Sequence, residues 1–274
     1  MYNSEKPTGA GDAIHPAAVA TTKCPPLPDR DMQAHGHVGF AEATEIGDIP
    51  EIIGNGRGLY EGDLAGYFRV LIFHAKNLTR PYHNLRHMLH VTWLCYQAAE
   101  FYRDRLTLRQ IRNLLIAALF HDFDHSGHPH PGADDPDGIN IGCAIAALRR
   151  HIVPEDRPFL PAIKALIEAT NYPYAGAGEQ LDLSGQIIRD ADLAQSLSPA
   201  WIQQVVIRLA RERHLSPLEI LKMQPAFLAA LSFNTEWARN RFPADLVAAK
   251  IAEAERLLAL LEAGDQLSEY GSTA

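Results

Sequence analysis

The sequence is short of cysteine: Cys24, Cys95 and Cys143 are the only three in 274 residues. An odd number at such distances builds neither a disulfide framework nor a zinc ribbon, and it suits a reducing compartment. Long apolar runs are missing too. No stretch approaches the ~20 apolar residues of a membrane-spanning helix, and the opening "MYNSEKPTGAGDAIHPAAVA" lacks the continuous apolar centre of a signal peptide. A cytoplasmic protein without a membrane segment is the expectation. Positive charge is in deficit, since 25 Lys and Arg against 33 Asp and Glu leave −8. That balance argues against a nucleic-acid-coating role, although it leaves room for a local basic pocket that holds a phosphate. Alternating strand patterns are almost absent and no internal repeat is evident. What is present is an apolar fraction of 47%, enough for a real core.

Residues 1–45 are rich in Gly, Pro, Ala and Thr and read as a flexible or loosely docked segment. "GDIPEIIGNGRG" at 47–58 reads as a turn-rich lead-in. From Leu59 the texture becomes helical. Segments 60–77, 84–103, 107–121, 139–151, 159–170, 184–195, 199–213, 217–231 and 243–263 carry apolar residues at three- and four-residue spacing. Thr107 offers a helix start, and Ser198 and Ser216 do the same with Pro199 and Pro217 behind them. "RFPAD" at 241–245 ends one helix and opens the last. The expected architecture is all-α, a bundle of about nine helices, with a main body over 46–264 and a tail over 265–274.

Three segments carry chemistry. "RPYHNLRHMLHV", residues 80–91, places His83, His87 and His90 on one side of a helix. Taken alone, that is either a solvated polar stripe or a metal or acid–base site. "ALFHDFDHSGHPH", residues 118–130, sets His121, Asp122 and His125 at the end of an apolar helix. Such groups are unfavourable there unless something pairs with them. A divalent metal would do so: imidazole and carboxylate suit Zn²⁺, Mn²⁺ or Fe, and an aspartate can bridge to a harder ion such as Mg²⁺. "IIRDADLAQSLSP", residues 187–199, again delivers carboxylates on an apolar approach. Asp190 and Asp192 are two residues apart and point in different directions, so one of them is the ligand. Each segment is weak singly; the ordered set is much stronger.

"YHNLRH", "HDFDHSG" and "RDADLA" resemble the signatures of the HD-domain phosphohydrolases, and within them the catalytic domain of 3′,5′-cyclic-nucleotide phosphodiesterases. "LIEATN" at 166–171 and "MQPAFLAALSFNTEWA" at 223–238 add looser agreement, and the likeness runs from about Tyr67 to Ala263. The resemblance implies a compact multi-helix fold that hydrolyses a phosphodiester bond in a 3′,5′-cyclic nucleotide to give a 5′-nucleoside monophosphate. It implies two divalent metal ions (Zn, Mn, Fe or Mg) held by His87, His121, Asp122 and Asp192, with Asp122 as the bridge. His83 matches the histidine that protonates the departing oxygen, and His125 one beside the second metal and its waters. Gln224 matches a glutamine that grips the purine edge and Phe227 a phenylalanine that stacks on the base, with Tyr82 beside them as a substrate-binding residue. The implied partner is a small-molecule nucleotide.

The chain also departs from that family. His90 stands where an aspartate is usual, and reads as a hydrogen-bonding partner within the bundle or an extra metal contact. Gln195 replaces an asparagine soon after the third motif. The loop "GHPHPGADDPDGIN" at 127–140 is longer, and its His128 and His130 read as solvated loop residues. "IGCAIAALRRHI" has no counterpart of the family's acidic His-His segment. Gln224 and Phe227 serve equally as a helical pair packing the bundle. The competing readings are an HD phosphohydrolase acting on a mononucleotide, a guanosine polyphosphate or a cyclic dinucleotide; a di-iron oxygenase; and a catalytically dead signalling module.

Overall fold

Every regular element among the described residues is helical. The computed structural model describes residues 47–127, 138–173 and 181–271. In chain order the helices are α1 (Ile49–Gly54), α2 (Ala65–His74), α3 (Leu85–Phe101), α4 (Leu108–Phe120), α5 (Gly138–His151), α6 (Leu160–Glu168) and α7 (Leu183–Leu193). They continue with α8 (Ala210–Arg213), α9 (Pro217–Ala230), α10 (Glu236–Arg241) and α11 (Ala244–Gly271). Turns of 3₁₀ helix at Pro154–Phe159 and Ala194–Leu197 and a π-helical stretch, Ile202–Leu209, fill the joints. Residues 1–45, His128 and His130 lie outside the described residues.

Helix α4 is the axis of the fold. Thr107 and Gln110 form a reciprocal capping box at its start, and every residue from Ile111 to Phe120 is buried. Leu114, Leu115, Ile116 and Leu119 are wholly enclosed, and each such side chain contributes roughly 1.5–3 kcal/mol. Around α4 pack α2, α3, α5, α6 and α7. One hydrophobic core joins α1 through α7 with Trp237 and Ala238 of α10. The C-terminal layer is built differently. Trp201, Val206, Leu221 and Ala254 make one small cluster, and Val205, Ala210 and Ile220 make another against which Tyr82 and Leu209 pack.

A buried ionic knot ties the outer turns to α4. Asp156 accepts hydrogen bonds from Arg112 Nε (2.8 Å) and Nη2 (2.7 Å), from Arg109 Nη1 (2.5 Å) and from the Tyr67 hydroxyl (2.8 Å). Arg112 also donates to the carbonyls of Glu61 (2.7 Å) and Asp63 (2.6 Å), pinning the 60–64 turn.

The structure departs from the sequence expectation at several joints. The 47–58 lead-in contains helix α1, with Pro50 in its first turn and Asn55 closing it in the left-handed region. Helix α2 starts at Ala65, because residues 60–64 are held as a turn by Asn55, which donates to the carbonyls of Tyr60 (2.6 Å) and Gly62 (2.7 Å). Segment 199–213 is π-helical over most of its length, and no Ser198 side-chain cap opens it. Helix α11 runs on past 264, since one glycine costs only about 1 kcal/mol against alanine in a helix.

Candidate metal centre

Three local structures aim the motif residues inward. At the head of α3, the Asn84 side chain accepts from the backbone N–H of Arg86 (2.8 Å) and His87 (3.2 Å). That cap sets the start of the helix, and the core pattern continuing through Met88, Val91, Leu94 and Cys95 turns His87 inward. Asn84 also donates to the carbonyls of Arg80 (2.8 Å) and Pro81 (3.0 Å). His121 closes α4, and the chain leaves it in a turn through Asp124, where φ is 61°. Asn77 clips this turn to the 80–84 loop, donating to the carbonyls of His83 (2.9 Å) and Asp122 (2.7 Å) and accepting from the Asp124 N–H (3.0 Å). Helix α7 supplies the third arm, capped by Asp182 on the Gly185 N–H (2.8 Å).

These arms bring four donor atoms together. His87 Nε2 lies 3.1 Å from Asp192 Oδ1, 3.3 Å from Asp122 Oδ2 and 3.3 Å from His121 Nε2. His121 Nε2 lies 3.4 Å from Asp122 Oδ2 and 3.5 Å from Asp192 Oδ1. The far side of each ring is already engaged: His87 Nδ1–H donates to Gln195 Oε1 (2.7 Å) and His121 Nδ1–H to the Ala118 carbonyl (2.8 Å). That assignment leaves both Nε2 lone pairs on the shared point, the arrangement a metal ligand needs. Asp122 Oδ2 is buried and makes no hydrogen bond. A buried carboxylate oxygen without a donor, facing two imidazole nitrogens and a second carboxylate, fits a divalent cation.

The electrostatics agree with that fit. Burial pulls the His121 imidazole down, but the Asp122 and Asp192 carboxylates outweigh it and hold it well above its ordinary value. Burial pushes Asp122 up, but His121 and His125 hold it well below the usual carboxylate range. Asp192 is likewise brought down to about 2 against its burial by hydrogen bonds to His121 and His87. The point favours positive charge. Asp190, by contrast, is turned away: its carboxylate accepts from the Asn234 N–H (2.9 Å) and side chain (2.8 Å) and from the Thr235 N–H (2.8 Å) and hydroxyl (2.7 Å), fastening α7 to the start of α10.

A second cluster adjoins the first. The His83 Nδ1–H donates to Glu212 Oε1, and the other oxygen of Glu212 accepts from the backbone N–H of Tyr82 (2.7 Å) and His83 (3.1 Å). His125 stacks on His83 with ring centroids 3.7 Å apart and planes 20° from parallel. Burial first, then the neighbouring His125, lower the His83 imidazole, with Asp122 and Glu212 opposing them. Tyr82 lies over His87, 5.2 Å between centroids. Gly127 ends the motif at φ 83°, where a Cβ would meet Arg80 Nη1 and Glu212 Cγ, each at 2.8 Å. Only glycine fits so close an approach.

Not every expected residue joins this group. His90 is buried one turn beyond His87, its ring 5.8 Å from Trp93, and burial pushes its imidazole down to about 3. It belongs to neither metal-suited cluster among the described residues. Gln224 is buried in α9, with Nε2 3.4 Å from the Ile220 carbonyl and Oε1 without a hydrogen-bond partner, while Phe227 is half-buried on the same helix. No hydrogen bond or ring contact among the described residues links either of them to the two clusters.

Residues 84–197 match the model of the HD domain family. That segment is similar to an HD domain. It spans His87, His121, Asp122 and Asp192, while His83 and Glu212 fall outside it. Among solved structures, the fold is similar to the crystal structure of the phosphodiesterase domain of Salpingoeca rosetta rhodopsin phosphodiesterase. The two share 18% identity at a TM-score of 0.55 over 76% of this chain and 82% of that one. No match to a curated protein was found. That match, together with a donor set suited to a divalent ion, supports a metal-dependent phosphohydrolase. Among the described residues no helix is long and apolar enough to cross a membrane.

Proposed function

We propose that this chain is a metal-dependent phosphodiesterase that opens a 3′,5′-cyclic nucleotide to the 5′-nucleoside monophosphate. The observation that carries the reading is the convergence of His87, His121, Asp122 and Asp192 beside a separate histidine, His83, whose far nitrogen is committed to Glu212. The four converging side chains would hold the first ion, with Asp122 shared with a second. When bound, the two ions supply an activated hydroxide and neutralise phosphoryl oxygens.

The remaining work falls to side chains. With Nδ1–H on Glu212, His83 presents Nε2 as the atom that hands a proton to the departing 3′ oxygen. Glu212 stabilises the imidazolium carrying that proton, and its two backbone contacts hold the 82–83 loop in place. His125 fixes the plane of the His83 ring by stacking. Gln224 brings a buried amide oxygen free to read a base edge, with Phe227 one turn on as a stacking face and Tyr82 closing the wall over His87. We place the activity in the cytoplasm on the sparse cysteines, of which Cys95 and Cys143 are free thiols.

Metal analysis followed by a substrate panel tests this. Cyclic AMP, cyclic GMP, 2′,3′-cyclic nucleotides, cyclic dinucleotides and mononucleotides would be offered with Mn²⁺, Mg²⁺ or Zn²⁺. A 5′-monophosphate released from a 3′,5′-cyclic nucleotide is the expected product. Release of inorganic phosphate from mononucleotides, or turnover of cyclic dinucleotides alone, would assign a different HD phosphohydrolase. Oxygen consumption with bound iron would replace hydrolysis altogether.

A further inference from the structure

Beside α3, the 78–81 loop and α3 face the π-helical stretch across a groove of about 730 Å³. Its walls hold four arginines, Arg80 and Arg86 on one side and Arg208 and Arg211 on the other, and no carboxylate lines it. In a chain of net charge −8 this is an unusual concentration. Among the described residues no ion pair engages Arg80, Arg208 or Arg211. Arg208 is held only by a 3.3 Å hydrogen bond to Gln204 Oε1. The charges feel one another: burial, and then the Arg208 charge, lower the Arg86 guanidinium. Like charges so placed repel, and an anion between them relieves the repulsion.

The groove is also half apolar. Leu78, Leu85 and Leu89 are half-buried along one wall and Ile207 is exposed on the other. Leu85 and Leu89 project from the face of α3 opposite His87, and none of the metal-suited residues lines the groove. Its volume lies within the roughly 300–1,000 Å³ typical of small-molecule sites. Guanidinium forks on two walls match an extended anion better than a single phosphate, since each fork takes two oxygens of one phosphoryl group. From these features we infer that the groove binds a soluble organic polyphosphate, its phosphates bridging the two arginine walls and its body lying on the leucines. The site does not depend on the reaction assigned to the metal centre.

The occupant would also reach that centre mechanically. The walls of the groove, 78–86 and 203–211, are the segments that Glu212 joins through Tyr82 and His83. A polyphosphate spanning them clamps the same joint from outside.

Isothermal titration of the full chain with inorganic tripolyphosphate, in buffer free of divalent metal, tests the inference. Saturable one-to-one binding is expected, with orthophosphate at least ten-fold weaker and adenosine 5′-triphosphate tighter than tripolyphosphate. Arg208→Gln with Arg211→Gln should weaken binding at least ten-fold with an unchanged melting temperature, and Arg208→Glu with Arg211→Glu should abolish it. Asp122→Asn should bind as the parent does. Parent-like binding by both arginine pairs overturns the inference, as does binding lost in Asp122→Asn but kept in the arginine variants, which places the probe at the metal centre. Equal affinity for tripolyphosphate and the nucleotide removes the apolar half of the assignment. Arginine-dependent binding to RNA or to phosphoinositide vesicles without any to tripolyphosphate overturns a soluble ligand.

Discussion

Asp122 Oδ2 lies 3.3 Å from His87 Nε2 and 3.4 Å from His121 Nε2 without a hydrogen bond of its own, so its removal and that of His83 should have different signatures. Asp122→Ala should abolish metal binding and activity together in metal analysis and turnover assays. His83→Ala should retain most of the metal yet lose on the order of 10²–10⁴-fold in turnover, the usual range for a general acid. Equal metal loss in both variants would erase the distinction between ligand and acid. Gln195 supports His87 from behind through its 2.7 Å contact. Gln195→Leu should therefore weaken metal affinity about 10–100-fold with little effect on folding, measured by chelator competition. The sequence displayed the motif residues because His-Asp at the end of an apolar helix is chemically conspicuous. Glu212 was hidden: "ARERH" reads as a solvated charged turn, and nothing local says that the glutamate is buried against a residue 129 positions earlier. Gln195 was visible only as a departure, its purpose being a contact across 108 residues.

At the scale of elements, periodicity located most helices and the caps located their starts. Thr107 and Ser216 were legible because a capping box is a local pattern, and both boxes are formed. Ser198 offered a Ser-Pro helix start without forming a side-chain cap, and the π-helical winding beyond it left no trace in residue spacing. The knot at Asp156 was illegible for the same reason as Glu212, since Asp156 draws its partners from α2 and α4, at least 44 positions away. Burial pushes the Asp156 carboxyl up, but Arg112, with Tyr67 and Arg109, holds it below the ordinary value. A carboxyl lowered by folding contributes stability above its unfolded pKa, near 3.9, and loses it as pH falls through the folded value. Asp156→Ala should lower stability by about 3–5 kcal/mol, since it strands a buried arginine, and should flatten the acid limb of a melting-temperature profile below about pH 4. Helix α9 offers a test of the proposed base pocket. Phe227→Ala should raise the Michaelis constant for a cyclic nucleotide on the order of ten-fold, the value of a lost stacking face, with metal content unchanged. Gln224→Ala should penalise purine substrates more than bis-(p-nitrophenyl) phosphate. A uniform loss on all substrates with a lower melting temperature would assign both residues to packing alone.

Across the whole molecule, apolar side chains are distributed unevenly. Among the described residues, one continuous core serves α1 to α7 and α10, while the layer made by the π-helical stretch, α9 and α11 rests on two small clusters of four and three buried residues. The four converging side chains hang from the large core: His87 on α3, His121 and Asp122 at the end of α4, and Asp192 on α7. Glu212, the partner of His83, comes from the thin layer. In urea, activity should therefore decline at a lower concentration than bound metal is released, with amides of 202–230 exchanging before those of α4. Coincident loss of activity, metal and α4 protection would mean that the layers open as one.

That junction has a consequence for how the enzyme could evolve or be tuned. A protein whose ion-holding apparatus and proton donor's brace stand on separately cushioned parts can change its throughput without touching its affinity for metal. On the proposed roles, substitutions in the small clusters would become a dial on turnover: loosening Trp201 or Ile220 would slacken Glu212's grip, and filling the space around them would tighten it. With His83 as the proposed proton donor, such a seam would convert packing quality in a peripheral layer into catalytic rate, and variation among the apolar residues of α9 and α11 would act first as rate adjustment.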